Sequence, residues 1–499
     1  HTDDKETNAR SQMLLENTYN SLSVSYFSLN DYQNAIAYSE KCLQLLDAIA
    51  PENPQRAINL MYIGRSIYER DRNIDSAFFY MDASLKLIEN GNPATGLGKG
   101  SAAWISYSSY KSAILLRSGK RDEAITFSKS VIDFVKKNNM LNAATVEVVL
   151  MHYQNVANAY IDQDNLQPAL KTCEEAEVMM KQFPNVRNIL LSILNSQHAK
   201  VLFKLYKWKE AEDFFNKALA PVNLSIAALK DAKWNVDVSA PREYLGTIKD
   251  AGDYFLFRGF ARTNKENVKT GIDVLNKVAK TFISQQNFLF EAGINEGFGM
   301  LNQNLFEDLL QALYKSRNLL NEDAVMAHAF STIESAKANL LKNVVWEEKK
   351  LSEILPDSVN RKRLDMKNEV KKAMNAVRQT NNSENQSSFI DKRESYMEYL
   401  RKIKKDFSFD DLKNADAVSA NDLRLTEFKG TIMNYFLGEK NLYIFIHSNF
   451  RKYFVCKKIP ENFEKDLALV RNSYHDKSSL SEIKNLEDLK RISKQWYQW

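Results

Sequence analysis

Three cysteines, Cys42, Cys173 and Cys456, and six histidines are the residues from which this chain would build covalent or metal chemistry. A cysteine nucleophile needs an imidazole within hydrogen-bond reach to raise its thiolate fraction, so spacing decides which pairs matter. The pair nearest in sequence is His447 and Cys456. Ser448-Asn449-Phe450-Arg451 separates two β-favouring runs, and a hairpin turning at Asn449-Phe450 sets His447 beside Lys452 and Cys456 beside Tyr443. Four residues of strand then keep the two apart by roughly 13 Å, and the register predicts no dyad. Cys42 and Cys173 sit at core-facing positions of a helical pattern and read as small buried hydrophobes. His198 replaces an aliphatic residue in that pattern, and His152 and His328 lie on predicted helices with no second ligand four residues on. His475, in Asn472-Ser473-Tyr474-His475-Asp476, is the one other formal partner for a thiol.

Phosphate chemistry fares no better. Gly96-Leu97-Gly98-Lys99-Gly100 has glycines and a lysine, but Pro93 stands where the first glycine of a phosphate loop should be. Gly100 replaces the hydroxyl residue, and a helix precedes the segment instead of a strand. The run Arg361, Lys362, Arg363, Lys367, Lys371 and Lys372 is interleaved with Asp365 and Glu369, as on a solvated helix face. With 68 basic and 63 acidic residues the net charge is +5, close to balance for 499 residues and without a nucleic-acid footprint. No catalytic, cofactor or metal residue is therefore assigned, and neither nucleic acid nor membrane is expected as a partner.

No stretch approaches the 18 or so apolar residues of a spanning helix. The opening residues His1-Thr2-Asp3-Asp4-Lys5 are not a secretory signal. Scattered cysteines point to a reducing compartment, hence the cytoplasm, with export after loss of a signal peptide as the alternative. A chain that starts at His1 and closes on the aromatic cluster Trp496-Tyr497-Gln498-Trp499 is expected to be part of a longer one.

The elements that would position any site are helices. Glycine, 15 of 499, and proline, 9 of 499, are too few for a turn-rich all-β protein. A template of Tyr19, Leu22, Ser23, Tyr26, Asn30, Tyr32, Ala35, Tyr38, Cys42 and Leu43 recurs along the chain. The second copy carries Gly64 and Ala77, the third Ser112 and Ala124, the fourth Ala157 and Ala169, and the fifth Ala199 and Ala211. The residues Ala35, Ala77, Ala124, Ala169 and Ala211 follow one another at 42, 47, 45 and 42 residues. Small side chains at these points let two antiparallel helices approach closely.

The pattern resembles the tetratricopeptide repeat, with a period longer than that repeat's minimum of about 34 residues. The resemblance implies a mainly α fold, a right-handed α-α superhelix of helical hairpins, that binds a protein or peptide on its concave face. The template places Asn20, Arg65, Tyr110, Arg117, Asn158 and Lys200 at exposed inner positions of that groove. Five repeats are expected over residues 1–219, and degenerate repeats with a closing helix over 220–345.

Two later phrases carry a second resemblance. Ala329-Phe330-Ser331-Thr332-Ile333-Glu334-Ser335-Ala336-Lys337-Ala338 looks like the helix that closes the repeats in bacterial proteins with a CHAT domain, a caspase-like peptidase module. Tyr435-Phe436-Leu437-Gly438-Glu439-Lys440-Asn441-Leu442-Tyr443-Ile444-Phe445 resembles that module's opening hairpin. Residues 346–425 read as long polar helices around a mobile linker, 379–388, and 426–499 as a three-stranded meander and helix beginning a truncated, small α/β segment. The resemblance implies a sensor or recruitment arm joined to the start of a cysteine peptidase whose catalytic half is absent. The module's own His and Cys lie beyond the opening hairpin, so none is carried over. The alternatives are a non-enzymatic scaffold and the sensor portion of a bacterial signalling protein.

Overall fold

The computed structural model describes residues 2–28, 31–50, 53–91, 97–231, 233–236, 241–291, 298–379, 383–407, 432–447, 452–460, 463 and 466. Helices come in antiparallel pairs: α1 (Thr2–Ser28) with α2 (Tyr32–Ile49), α3 (Gln55–Asp71) with α4 (Ile74–Glu89), and α5 (Ala102–Arg117) with α6 (Arg121–Lys137). Next are α7 (Val146–Asp162) with α8 (Leu166–Gln182), and α9 (Asn188–Lys204) with α10 (Trp208–Leu219). After a short α11 (Ile226–Leu229), α12 (Arg242–Ala261) and α13 (Lys265–Glu291) form a sixth pair. The fold is mainly α, a TPR-like array followed by a small antiparallel sheet.

The pairs close on small residues. Ala35, Ala77, Ala124, Ala169 and Ala211 are all 0% exposed. On the first helices of four pairs they pack with Ser23, Gly64, Ser112 and Ala157. Ser23 Oγ donates to the Ala35 carbonyl at 3.0 Å and lies 2.6 Å from Ser39 Oγ. Ser112 repeats this with Ala124 O at 3.4 Å and Ser128 Oγ at 2.6 Å. At Gly64 a Cβ would stand 2.7 Å from the Ala77 carbonyl oxygen, closer than packed atoms allow, so glycine is needed there. Each hairpin turn from α3 to α13 also has one residue in the left-handed region, namely Arg72, Gly119, Asp164, Tyr206 and Thr263.

The chain divides into two compact units, His1–Asn302 with Ala338–Asp422, and Gln303–Lys337 with Leu423–Trp499. This differs from the boundaries read in the sequence at 345 and 425, because the polar helices belong with the repeats. α15 (Glu322–Ile354) ends before Pro356, and α16 (Asp357–Gln379) and α17 (Ser383–Asp406) form a hairpin. Leu351 and Leu355 pack with Leu400 and Ile403 at its base. At the other end Ala373, Val370 and Phe389 pack on Tyr19, Leu22, Tyr26, Ala37 and Tyr38 of α1 and α2. The first repeat is thus covered by helices some 350 positions downstream in sequence. The expected linker 379–388 is corrected accordingly: Ser383–Ser388 opens α17 one turn ahead of buried Phe389, and only 380–382 lie outside the described residues. A tract too polar to hold a core alone is helical because the next turn anchors it.

In the second unit α14 (Phe298–Ser316) and the first part of α15 carry a sheet of β1 (Ile432–Leu437), β2 (Asn441–His447) and β3 (Lys452–Lys458), in the order β1-β2-β3, antiparallel throughout. Alternation sends Phe436, Tyr443, Phe445 and Phe454 to the helices. Ring contacts join Phe306 to Phe436 at 6.4 Å, Tyr314 to Phe454 at 5.6 Å and Phe330 to Phe445 at 5.1 Å. The helix expected after the meander lies outside the described residues except at 463 and 466.

Candidate protein-binding face

Helices α1, α3, α5, α7, α9 and α12 are the first members of the pairs, and each packs on the next. Polar side chains tie them across repeats. His152 Nε2 lies 3.0 Å from the Ile105 carbonyl, Asn155 Nδ2 donates to Ser109 O at 2.9 Å, and Gln197 Nε2 donates to Gln154 O at 3.1 Å. Ser196 Oγ and Lys200 Nζ both reach Asp250, each at 2.9 Å. These bonds hold the first helices of neighbouring pairs in fixed register.

Residues 16–45 match the family model of the tetratricopeptide repeat. The chain carries TPR-like repeats. No curated protein matches the sequence. Among solved structures, one of a Podosopora anserina protein described as a kinesin light chain with nearly identical TPR-like repeats is 15% identical; the match covers 41% of this chain and 92% of that one, at a TM-score of 0.32. BtubC (BKLC) from P. vanneervenii is 13% identical over 49% and 90% of the two chains, with a TM-score of 0.37. The TPR2AB domain of yeast Sti1, in a complex with pHSP90, is 11% identical over 57% and 99%, with a TM-score of 0.21. These are loose likenesses and place no ligand on this chain.

The six residues assigned to the TPR groove do not form one cluster. Arg65 on α3 and Tyr110 on α5 touch, the guanidinium carbon lying 3.8 Å from the ring centre. Arg117, further along α5, forms an ion pair with Glu69 of α3 and lies 5.5 Å from the centre of the Tyr68 ring. Lys200 on α9 is half-buried and engaged by Asp250 of α12. Asn158 is half-buried on α7, and Asn20 on α1 has a buried amide oxygen with no donor among the described residues.

The groove reading overlooked Phe27 of α1, whose ring centre lies 4.2 Å from the Arg65 guanidinium carbon, and Tyr62 and Tyr107, whose hydroxyl pKa values are raised by burial. A signal was present: Tyr62 precedes Arg65 by three residues and Tyr107 precedes Tyr110 by three, the spacing of one helix face.

Cys42, Cys173, Cys456, His152, His198 and His447 sit as their positions imply, and His475 lies outside the described residues. Cys42 and Cys173 are buried, and desolvation pushes both thiols up to about 12. Cys456 pairs across the sheet with Tyr443 and His447 with Lys452, the register that rules out a dyad. His152 and His198 are buried, and desolvation lowers both to about 4. Among the described residues no group of three or more His, Cys, Asp or Glu side chains could hold a metal ion, and no helix is long and apolar enough to cross a membrane.

Proposed function

We propose that this chain is a protein-interaction module that receives an extended segment of a partner along the inner helices of its TPR-like array. The cross-repeat ladder from Ile105 to Asp250 carries this reading. A surface whose side chains are already fixed by neighbouring helices loses little conformational entropy when a partner binds. Asn20, Arg65, Tyr110, Arg117, Asn158 and Lys200 belong to it as contact residues or as the ties that shape it. The test is selection of displayed random dodecapeptides on the full chain. Asn158→Arg with Lys200→Ala should weaken the selected peptides by about tenfold or more, whereas Phe79→Arg, at a residue 71% exposed on α4, should leave them unchanged. Equal loss from both faces would refute an inner-face site.

The finer reading, an arm attached to the start of a CHAT-type peptidase, has one supporting observation. The two phrases behind it touch, through Phe330 against Phe445. None of the comparisons supports it. The intact mass of the protein from its native source decides the matter: a mass well above 57.4 kDa, with thiol-dependent peptidase activity, favours it, and inactivity of the longer protein ends it.

A further inference from the structure

The connection from Leu219 to Arg242 is the longest between the helix pairs of the array, and it is tied down on both sides. Ile226 and Leu229 of α11 are buried, Asn216 Oδ1 of α10 accepts the Ile226 N–H at 2.8 Å, and Ser225 Oγ accepts that of Ala228 at 3.1 Å. Lys277 of α13 holds the other end. Its Nζ donates to the Trp234 carbonyl at 2.8 Å and lies 4.5 Å from the centre of the Trp234 ring. Walls fixed in this way before anything binds keep the entropic cost of binding low.

Between this connection and the start of α12 lies a cavity of about 750 Å³, within the size range of small-ligand sites. Pro221, Leu224, Trp234, Val236, Pro241 and Tyr244 make its apolar wall. The polar groups of the lining are mostly donors. The Trp234 indole N–H and the Tyr244 hydroxyl have no acceptor among the described residues, yet neither is sealed from solvent, although Tyr244 as a whole is only 9% exposed. Asn235 gives its Oδ1 to the Val236 N–H at 3.0 Å, which leaves its NH2 group, and Lys233 has no carboxylate within ion-pair distance among the described residues. The one acid of the lining, Asp231, already accepts the Lys233 N–H at 2.9 Å.

Donors set among apolar rings select a ligand that is apolar and rich in acceptors but poor in N–H groups. Proline meets each condition, since its ring is apolar, its nitrogen carries no hydrogen and its carbonyl remains an acceptor. A run of prolines also holds the polyproline II form without a partner, so it loses little freedom on docking against aromatic side chains. An ordinary peptide would bring N–H donors to a wall whose only carboxylate is engaged, and any that it buried there would stay unpaired. We propose that the cavity between α10 and α12 is a docking site for a proline-rich segment of a partner protein, bound in polyproline II form. The site is built on the connection between two pairs, so it is a second contact that does not depend on the extended segment along the inner helices.

The test uses the full chain labelled with 5-fluorotryptophan and observed by 19F NMR. The Trp234 signal is identified by its loss in Trp234→Phe, and the remaining tryptophan signals show that this variant folds. Acetylated and amidated decaproline is the ligand, with a glycine–serine decapeptide and N-acetylproline amide for comparison. The expected result is a saturable Trp234 shift with decaproline at a Kd below about 1 mM, and binding of the other two weaker by at least about tenfold. Tyr244→Phe, which removes one hydroxyl and keeps the ring, should weaken decaproline by about fivefold. No saturable shift at Trp234, equal binding of the glycine–serine peptide, or full affinity in Tyr244→Phe overturns the proposal. Equal binding of N-acetylproline amide overturns it as well, because the occupant is then a small acceptor-rich molecule. Decaproline that shifts another tryptophan and leaves Trp234 unmoved puts the contact elsewhere, with the same consequence. None of these outcomes bears on the inner-face reading, which the dodecapeptide selection tests by itself.

Discussion

Glu307 and Asn441 are joined twice, Glu307 Oε1 accepting the Asn441 backbone N–H at 2.9 Å and its side-chain Nδ2 at 3.0 Å. The other carboxylate oxygen takes the Glu439 N–H at 2.6 Å, and Lys440 N lies 3.2 Å from Oε1. One acid on α14 thus satisfies three consecutive amides of the β1–β2 turn that no strand could pair. A Cβ on Gly438 would fall 2.4 Å from the Glu307 carboxyl carbon, so only glycine lets the turn come this close.

Glu307→Gln replaces one acceptor oxygen by an NH2 group facing N–H donors. The loss should be about 1–3 kcal/mol, the cost of leaving buried donors unpaired. Amide hydrogen exchange reads it directly, with faster exchange in β1 and β2 and none of the change in α5–α8. Unaltered protection at Glu439 to Asn441 would mean that the carboxylate does not hold the turn.

The left-handed turn residues offer a reciprocal pair. Thr263 has φ 52°, a conformation that strains a β-branched residue, so Thr263→Gly should stabilise the α12–α13 hairpin by about 1 kcal/mol. Gly119 has φ 82° and nothing within 4 Å of a Cβ placed on it. Gly119→Ala should therefore lose about as much through conformation alone. Urea unfolding midpoints check both, and shifts of the same sign would contradict the argument.

Where the sequence was legible it was because the determinant was local. The five alanines recur at a period the eye can follow, and all five are buried at the helix crossings. The pairing of Cys456 with Tyr443 follows from turn residues and alternation alone. The docking of Phe389 on Tyr38 was not legible, since it joins helices with no shared period. Nor was Glu307, one acid among 63 acidic residues until the turn is folded against it. On the first helices of the pairs, the template gave Arg65 and Tyr110 a side of the helix but not Phe27, which comes from a neighbouring repeat.

Two histidines make stability depend on pH. His152 Nε2 faces the Ile105 carbonyl, and Nδ1 lies 3.1 Å from Ser128 Oγ, an arrangement that suits the neutral ring with its proton on Nε2. His198 lies against Phe214, with ring centres 3.9 Å apart. Desolvation lowers both to about 4 in the fold, whereas the unfolded chain protonates them near 6.5. Their neutral forms cost nothing above that range, and stability falls as pH drops from about 6.5 towards 4, by up to about 3 kcal/mol for each. Melting temperatures from pH 7 to 4.5 should fall less steeply in His152→Asn than in the parent. An unchanged slope would show that His152 takes up its proton in the fold.

The covering of the first repeat by α16 and α17 can be read through a thiol. Cys42 Sγ accepts a hydrogen bond from Asn59 Nδ2 at 3.2 Å, so it lies where α2 meets α3, and its thiol is pushed up to about 12 by burial. In the native chain iodoacetamide at pH 8 should label half-buried Cys456 first, with Cys42 and Cys173 slower by about a thousandfold than in urea. Phe389→Ala opens a cavity at the cluster with Tyr38 and removes about 3 kcal/mol or more of packing from that end of the array. Labelling of Cys42 should then quicken by about a hundredfold while Cys173, in the fourth hairpin, keeps its rate. Equal acceleration at both thiols would mean that the array opens as a whole and that the hairpin does not hold the first repeat in particular.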